Sequence, residues 1–404
     1  MPSPELAERY REVREETERL AAPLTAEDQT VQSMPDVSPT KWHRAHVTWF
    51  FETFVLEGMP GYQPYDPSYR VLFNSYYEQV GPKHPRSQRG FVSRPGVAEI
   101  GRYRAWVDAA LAEVLAGGGL DPRGLELVEL GTHHEQQHQE LLLMDAKHVL
   151  SCNPLDPVYG PDGPRLCPWG AATGWAGSEG GLVDVGHDGE ADSAGFSFDN
   201  ETPRHTVFLD PFEIATGLVT NGDWQAFVAD GGYQRPELWL SDGWAAVGSL
   251  GWTGPLYWSA DGTTEFTLAG RESLDPSVPV SHVSYYEADA YARWAGARLP
   301  LEAEWETMAA SCRLAQVDDQ AWQWTASAYL PYPGFRPAPG AVGEYNGKFM
   351  VGQHVLRGGS CYTPRGHART TYRNFFPPSA RWAVSGVRLA RDPEGGRPNR
   401  PGAR

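Results

Sequence analysis

A chain of 404 residues with 41% hydrophobic and 12% aromatic residues is globular in composition and has material for two or three packed domains. Its formal net charge of −17 disfavours a nucleic-acid partner, because phosphate binding needs a basic face. No run of about 18 apolar residues is present, so no membrane-spanning helix is expected. The opening stretch, Met1 to Arg19, is charged and helix-like, without the apolar segment of a signal peptide. Four cysteines (Cys152, Cys167, Cys312, Cys361) are scattered without C-x-x-C spacing, so a reducing cytoplasm is the expected setting.

Four amphipathic helices are predicted before residue 151. The first carries Leu6, Tyr10, Val13, Thr17 and Leu20 on one face. The second opens at Ser38-Pro39, read as an N-cap and first-turn pair, and carries Trp42, His46, Trp49, Phe50 and Thr53. The third runs through Val97, Ile100, Tyr103, Val107 and Leu111 to the stop at Gly117-Gly118-Gly119. The fourth carries Leu127, Leu130, His134, His138 and Leu141. Four such helices, with a long connection between the second and third, predict a bundle. That connection, about 58 to 95, is rich in Tyr and Phe and is expected to be ordered and functional.

After Cys152 the sequence turns rich in Gly, Pro and Trp, and 12 of the 15 tryptophans lie there. Short strands such as Thr206-Val207-Phe208-Leu209, and short helices at Asn221 to Ala229 and Tyr286 to Trp294, predict an irregular α+β domain built on aromatics and loops. The expected division is 1–155 for the bundle, 156–395 for the second domain and 396–404 for a flexible tail.

The most informative residues are His134 and His138. Four apart on a helix, they project side by side. With His46 from another helix they supply three imidazole nitrogens and leave positions open, as a catalytic metal needs. Glu140 follows within reach. It is expected to orient a ligand histidine through its other nitrogen; the alternative makes it a ligand in a two-histidine, one-carboxylate site.

The second half resembles the formylglycine-generating-enzyme (sulfatase-modifying factor) domain, a C-type-lectin-like fold. The matching segments include Pro203-Arg204-His205-Thr206-Val207, Tyr291 to Pro300, Glu302-Ala303-Glu304-Trp305-Glu306, Leu356 to Cys361 and Gly386 to Ala390. The first half resembles the DinB-like metal-binding bundle, on His46 and the His134-x-x-x-His138-x-Glu140 pattern. Together, in this order, they resemble the ergothioneine-pathway sulfoxide synthases. The resemblance implies an iron(II) enzyme that uses O2 to join hercynine, the Nα-trimethylated form of histidine, to a thiol, leaving a sulfoxide.

It also implies roles. Tyr76 and Tyr77 match a tyrosine pair of the cysteine-using branch, in which a phenol near the iron donates a proton or electron. Adjacent side chains diverge, so one of the two is expected to reach the metal, with Tyr77 favoured. Arg86 and Arg89 match arginines that hold the thiol substrate's carboxylate. Gln137 and Asn374 are then expected to bind the polar parts of hercynine, and Phe375, with Phe376, to face its trimethylammonium by cation–π attraction. In the γ-glutamylcysteine-using branch an aspartate stands where this chain has Phe376, so cysteine is the expected donor.

The rival readings are sister synthases acting on a selenosugar or on histidine itself, a metal-dependent thiol transferase, a lectin-like binding module, and a true formylglycine-generating enzyme. The last needs cysteines near the domain's end, and none follows Cys361.

Overall fold

The computed structural model describes residues 3–161, 163–170, 173–189 and 195–393. The tail expected at 396–404 lies outside the described residues. Helices α1 (Ser3–Ala21), α2 (Thr40–Phe51), α4 (Val97–Ala116) and α5 (Pro122–Ser151) form the bundle, and a single turn, α3 (Tyr69–Leu72), lies in the long connection. The backbone of α2 runs on as a π-helical turn through Glu52–Leu56. Leu6 and Tyr10 of α1, Trp49, Phe50 and Phe51 of α2, Tyr103, Val107 and Leu111 of α4, and Val128 of α5 meet in the core.

Helix α5 starts where Asp121 accepts a hydrogen bond from the Gly124 amide at 2.7 Å with Pro122 in the first turn, a strong start signal. Helix α4 stops before Gly118, whose φ of +64° suits a residue without Cβ. The second helix departs from expectation. It begins at Thr40, and Ser38 does not cap it. The Ser38 amide instead donates to Asp145 at 2.7 Å, and its hydroxyl accepts from Arg89 at 2.9 Å. A longer-range charged partner has displaced the local cap.

Strands β1 (Trp175–Ser178), β2 (Gly181–Val185), β3 (His205–Leu209), β4 (Phe212–Ala215), β5 (Thr264–Thr267), β6 (Gly270–Ser273), β7 (Trp322–Ala328), β8 (His354–Arg357), β9 (Asn374–Phe376), β10 (Ser385–Gly386) and β11 (Ala390–Arg391) are all short. They make sheets of order β1-β4-β11 and β10-β7-β8-β9, and two ribbons, β2-β3 and β5-β6. Helices α6 (Asn221–Ala229), α7 (Ser241–Leu250), α8 (Tyr285–Trp294) and α9 (Glu302–Ala310) pack around them. Capping boxes start α6 at Thr220 and α8 at Ser284. The fold is α+β, a helical bundle followed by an irregular mixed domain. No described helix is long and apolar enough to cross a membrane.

The two halves share a core: Trp49 and Phe50 belong to the same buried cluster as Trp322, Trp324 and Tyr372. Helix α5 joins them, because its residues fall into separate stripes at helical spacing. His134, His138 and Asp145 face α2 and its surroundings. Glu135 and Gln139 face α1, where they bond Arg14, Thr17 and the Val13 carbonyl. Gln136, Glu140 and Lys147 face the second domain, where they meet His367, Ser360 and His282.

Candidate metal centre

Helices α2 and α5 lie close enough to share one ion because of Gly131. A Cβ on Gly131 would stand 2.5 Å from the Phe51 ring and 2.9 Å from that of Phe50, inside any allowed contact. With the helices pressed together, His46 of α2 meets His134 and His138 of α5, one and two turns past the glycine. Ring centroids are 5.0 Å apart for His46–His134, 4.8 Å for His46–His138 and 4.6 Å for His134–His138. One nitrogen from each can be chosen so that all three lie within 4.8 Å of one another.

The hydrogen bonds around the triad fix which nitrogens are free. His46 Nδ1 lies 2.7 Å from the Phe73 carbonyl, which can only accept, so Nδ1 carries the proton and Nε2 keeps its lone pair. That Nε2, and both nitrogens of His134, are buried without a hydrogen-bond partner among the described residues. His138 Nδ1 lies 2.8 Å from His43 Nδ1, and His43 Nε2 lies 2.9 Å from the Asp145 carboxylate. The carboxylate accepts, so His43 donates from Nε2 and accepts at Nδ1, and His138 donates from Nδ1 with Nε2 left free.

Burial pulls all three ligand candidates toward the neutral form. His46 and His138 are held well below the usual histidine range, by burial first and by His134 next, and His134 is pulled down to about 3 by burial and by His43. Three neutral imidazoles that converge here, two of them with buried nitrogens lacking protein donors, could hold a metal ion. The residues present fit a divalent first-row ion that keeps open positions.

Glu140 is not part of this centre. Two residues past His138, it points to another side of α5, where its carboxylate accepts from Trp322 Nε1 at 2.7 Å, Ser360 Oγ at 2.6 Å and Thr363 Oγ1 at 2.8 Å. It neither ligates nor orients a histidine; it ties α5 to the second domain. The orienting groups are Phe73, His43 and Asp145. Sequence reasoning missed the last two, although His43 precedes His46 by three residues and Asp145 follows His138 by seven.

Arg89 lies against the centre's wall, its guanidinium carbon 3.3 Å from the centroid of the Trp42 ring, which stacks on His46 at 4.6 Å. Its donors reach the hydroxyls of Ser38 and Ser75, both at 2.9 Å, and no carboxylate of the described residues. Arg86 is exposed and donates to the Asp36 carbonyl, so the two arginines do not form a side-by-side clamp.

Tyr77 is fully buried against Trp49 and Phe54, at 5.6 and 5.1 Å, and its loop is clasped by Asn74 at 3.0 and 3.1 Å. Its hydroxyl lies 3.4 Å from that of Tyr76. Burial raises both phenols above their ordinary range. Gln137 is held at both ends: its amide donates to the Tyr372 hydroxyl at 2.5 Å, and its carbonyl accepts from Tyr345. Tyr345, which the sequence reading missed, packs edge-on to His134 at 5.4 Å.

Strand β9 carries Asn374, Phe375 and Phe376, and its pleat separates them. Asn374 and Phe376 project to one face, with Leu356 and His354 opposite them on β8. Phe375 projects to the other and stacks on Tyr329 at 4.0 Å. A cage using Phe375 and Phe376 together is therefore not what the strand presents.

Residues 9–142 match the DinB superfamily and residues 178–318 the Sulfatase-modifying factor enzyme 1-like domain. Over 413 residues the chain is 32% identical to the Hercynine oxygenase of Mycolicibacterium thermoresistibile, covering 89% of this chain and 88% of that one. It is also 32% identical over 407 residues to the Hercynine oxygenase of Mycobacterium tuberculosis, covering 89% and 92%. The Formylglycine-generating enzyme of Streptomyces coelicolor is 38% identical over 135 residues, covering 29% of this chain and 42% of its own.

Proposed function

The chain belongs to the hercynine oxygenase family, and from that premise we propose that it is an iron(II)-dependent oxidoreductase that joins hercynine to cysteine with O2, giving hercynylcysteine sulfoxide in ergothioneine biosynthesis. The observation that carries this reading is the imidazole triad on α2 and α5, in which His46 and His134 keep buried, partnerless nitrogens beside the half-buried His138. The reaction balances as loss of the imidazole C–H and the thiol S–H, formation of C–S and S–O bonds, and release of one water. His46, His134 and His138 would hold iron(II), which would supply the redox chemistry that O2 and the thiol require.

The chain's own groups do the remaining work. Arg89, buried and without an anionic partner, attracts the cysteine carboxylate; burial and Arg86 both push its pKa down, which an arriving anion reverses. Arg86 lies at the exposed edge and steers the same anion. Gln137, fixed by Tyr345 and Tyr372, and Asn374 meet the polar atoms of hercynine. Phe376, on the same strand face as Asn374, offers the trimethylammonium a ring, and Phe375 backs that strand through Tyr329. Tyr76 and Tyr77, hydroxyl to hydroxyl, supply the proton for the oxygen that leaves as water. Phe376 offers no anion to a glutamyl ammonium, which favours free cysteine as donor.

The test is O2 uptake and product mass with hercynine and either thiol, on iron-reconstituted protein. The expected result is a sulfoxide, with kcat/KM for cysteine above that for γ-glutamylcysteine by about a hundredfold, a difference of a few kcal/mol. A preference for γ-glutamylcysteine overturns the donor assignment. Uptake that does not depend on hercynine overturns the reaction.

A further inference from the structure

The chain contains only four lysines, Lys41, Lys83, Lys147 and Lys348, among 34 basic residues. Three of them donate to oxygens: Lys41 to the Ser93 and Pro95 carbonyls, Lys83 to Glu78, and Lys348 to Glu344. Lys147 differs. It lies on the stripe of α5 that faces the second domain, it is buried, and among the described residues it forms no ion pair, although the Glu265 carboxylate acts on it through space. Its hydrogen-bond partner is a ring nitrogen, Nε2 of His282, at 2.8 Å, and the Tyr257 ring lies 4.4 Å away.

His282 is itself unusual. Its backbone sits at φ +61°, the left-handed region that it shares, among the described non-glycine residues, with Asp156, Cys312 and Gln316. The pair opens on a cavity of about 280 Å³ between α5 and the second domain, which Glu265, Cys361 and Tyr362 also line. None of these groups belongs to the metal centre.

The geometry points to a second reactive site, in which the Lys147 amine condenses with a small uncharged aldehyde to form an imine. Nζ attacks the carbonyl carbon, and the C=O pair becomes the hydroxyl of a carbinolamine. One amine proton passes through His282 Nε2 to the carbonyl oxygen to make that hydroxyl, and the second follows the same route, so that the hydroxyl leaves as water, the imine forms and His282 ends neutral. No oxidant or reductant is needed. Burial favours the free amine, lowering Lys147 to about 8, and keeps His282 neutral and able to accept. The neighbouring thiol does not compete: burial pushes Cys361 up to about 12, so it stays protonated. The ligand is assigned as uncharged because the cavity lining carries three carboxylates, Glu265, Glu272 and Asp275, against the guanidinium of Arg165, a balance that disfavours a carboxylate-bearing aldehyde.

The test treats the full chain with glycolaldehyde or with glyoxylate in the presence of cyanoborohydride, which traps imines, and maps the four lysines by peptide mass at early times. Lys147 is expected to be alkylated at least about tenfold faster than Lys83 near neutral pH, because an ordinary lysine near pKa 10.4 is almost wholly protonated there. Glycolaldehyde is expected to outpace glyoxylate at Lys147. Labelling of Lys83 and Lys348 with Lys147 untouched overturns the site; faster labelling by glyoxylate overturns the uncharged ligand. The unmodified chain gives both answers, so they do not depend on a variant folding. Either failure leaves the reading of the metal centre as it stands.

Discussion

Glu135 and His134 are neighbours on α5, buried to the same degree and treated in opposite ways. Glu135 is met from three sides: Arg14 at 2.9 Å, Arg104 at 3.0 Å and Thr17 at 2.7 Å. His134 is met by aromatic rings and has no hydrogen bond at either nitrogen. A buried polar group left unpaired costs free energy, so the difference separates a cluster that holds the bundle together from one kept open for an ion. Where only a fold is needed, the polar groups are closed against each other.

Breaking each cluster should therefore give opposite readouts. The largest effect is expected from His138→Ala, which should abolish stoichiometric iron binding and turnover while the metal-free protein keeps its melting temperature within a few degrees. Full occupancy by metal analysis would remove the triad from the argument. Glu135→Ala should do the reverse. Stranding Arg14 and Arg104 without their carboxylate should cost about 3–5 kcal/mol in denaturant unfolding, and the folded fraction should still bind iron. Loss of metal with unchanged stability would erase the contrast.

A finer test lies in the chain of groups behind His138. Asp145→Asn should weaken iron binding by about 10–100-fold, because His43 loses the partner that sets its tautomer. Chelator competition measures this, and unchanged affinity would mean that His138 orients itself. The smallest effect is expected at Glu140. Glu140→Gln should cost about 1–2 kcal/mol of stability through weakened bonds to Ser360, Thr363 and Trp322. Iron stoichiometry should not change. If it falls by one equivalent, Glu140 ligates after all.

The triad was legible because helical periodicity is strict: residues four apart share a face whatever packs against it. The same periodicity takes Glu140, two residues past His138, off that face and brings Asp145, seven residues past it, back onto it. Asn374 to Phe376 read differently because a motif was seen where the backbone is a strand, and a strand sends adjacent residues to opposite faces. Ser38 had every feature of a cap, but a carboxylate over a hundred residues away outcompeted the local bond. The Lys147–His282 pair was out of reach, since it joins two halves with no periodic relation between them and needs a left-handed histidine.

Gly131 gives the centre its size. The distance between the helices bearing His46 and the His134/His138 pair is set by the absence of one side chain, with the Phe50 ring lodged against the gap. Coordination bite is thus a backbone dimension, separable from ligand identity. An alanine at this position would act as a wedge, leaving every imidazole in the sequence and spreading the pocket they form. The expected consequence of Gly131→Ala is an altered order of affinity among divalent ions of different radius, measured by metal competition, with every imidazole still in the sequence.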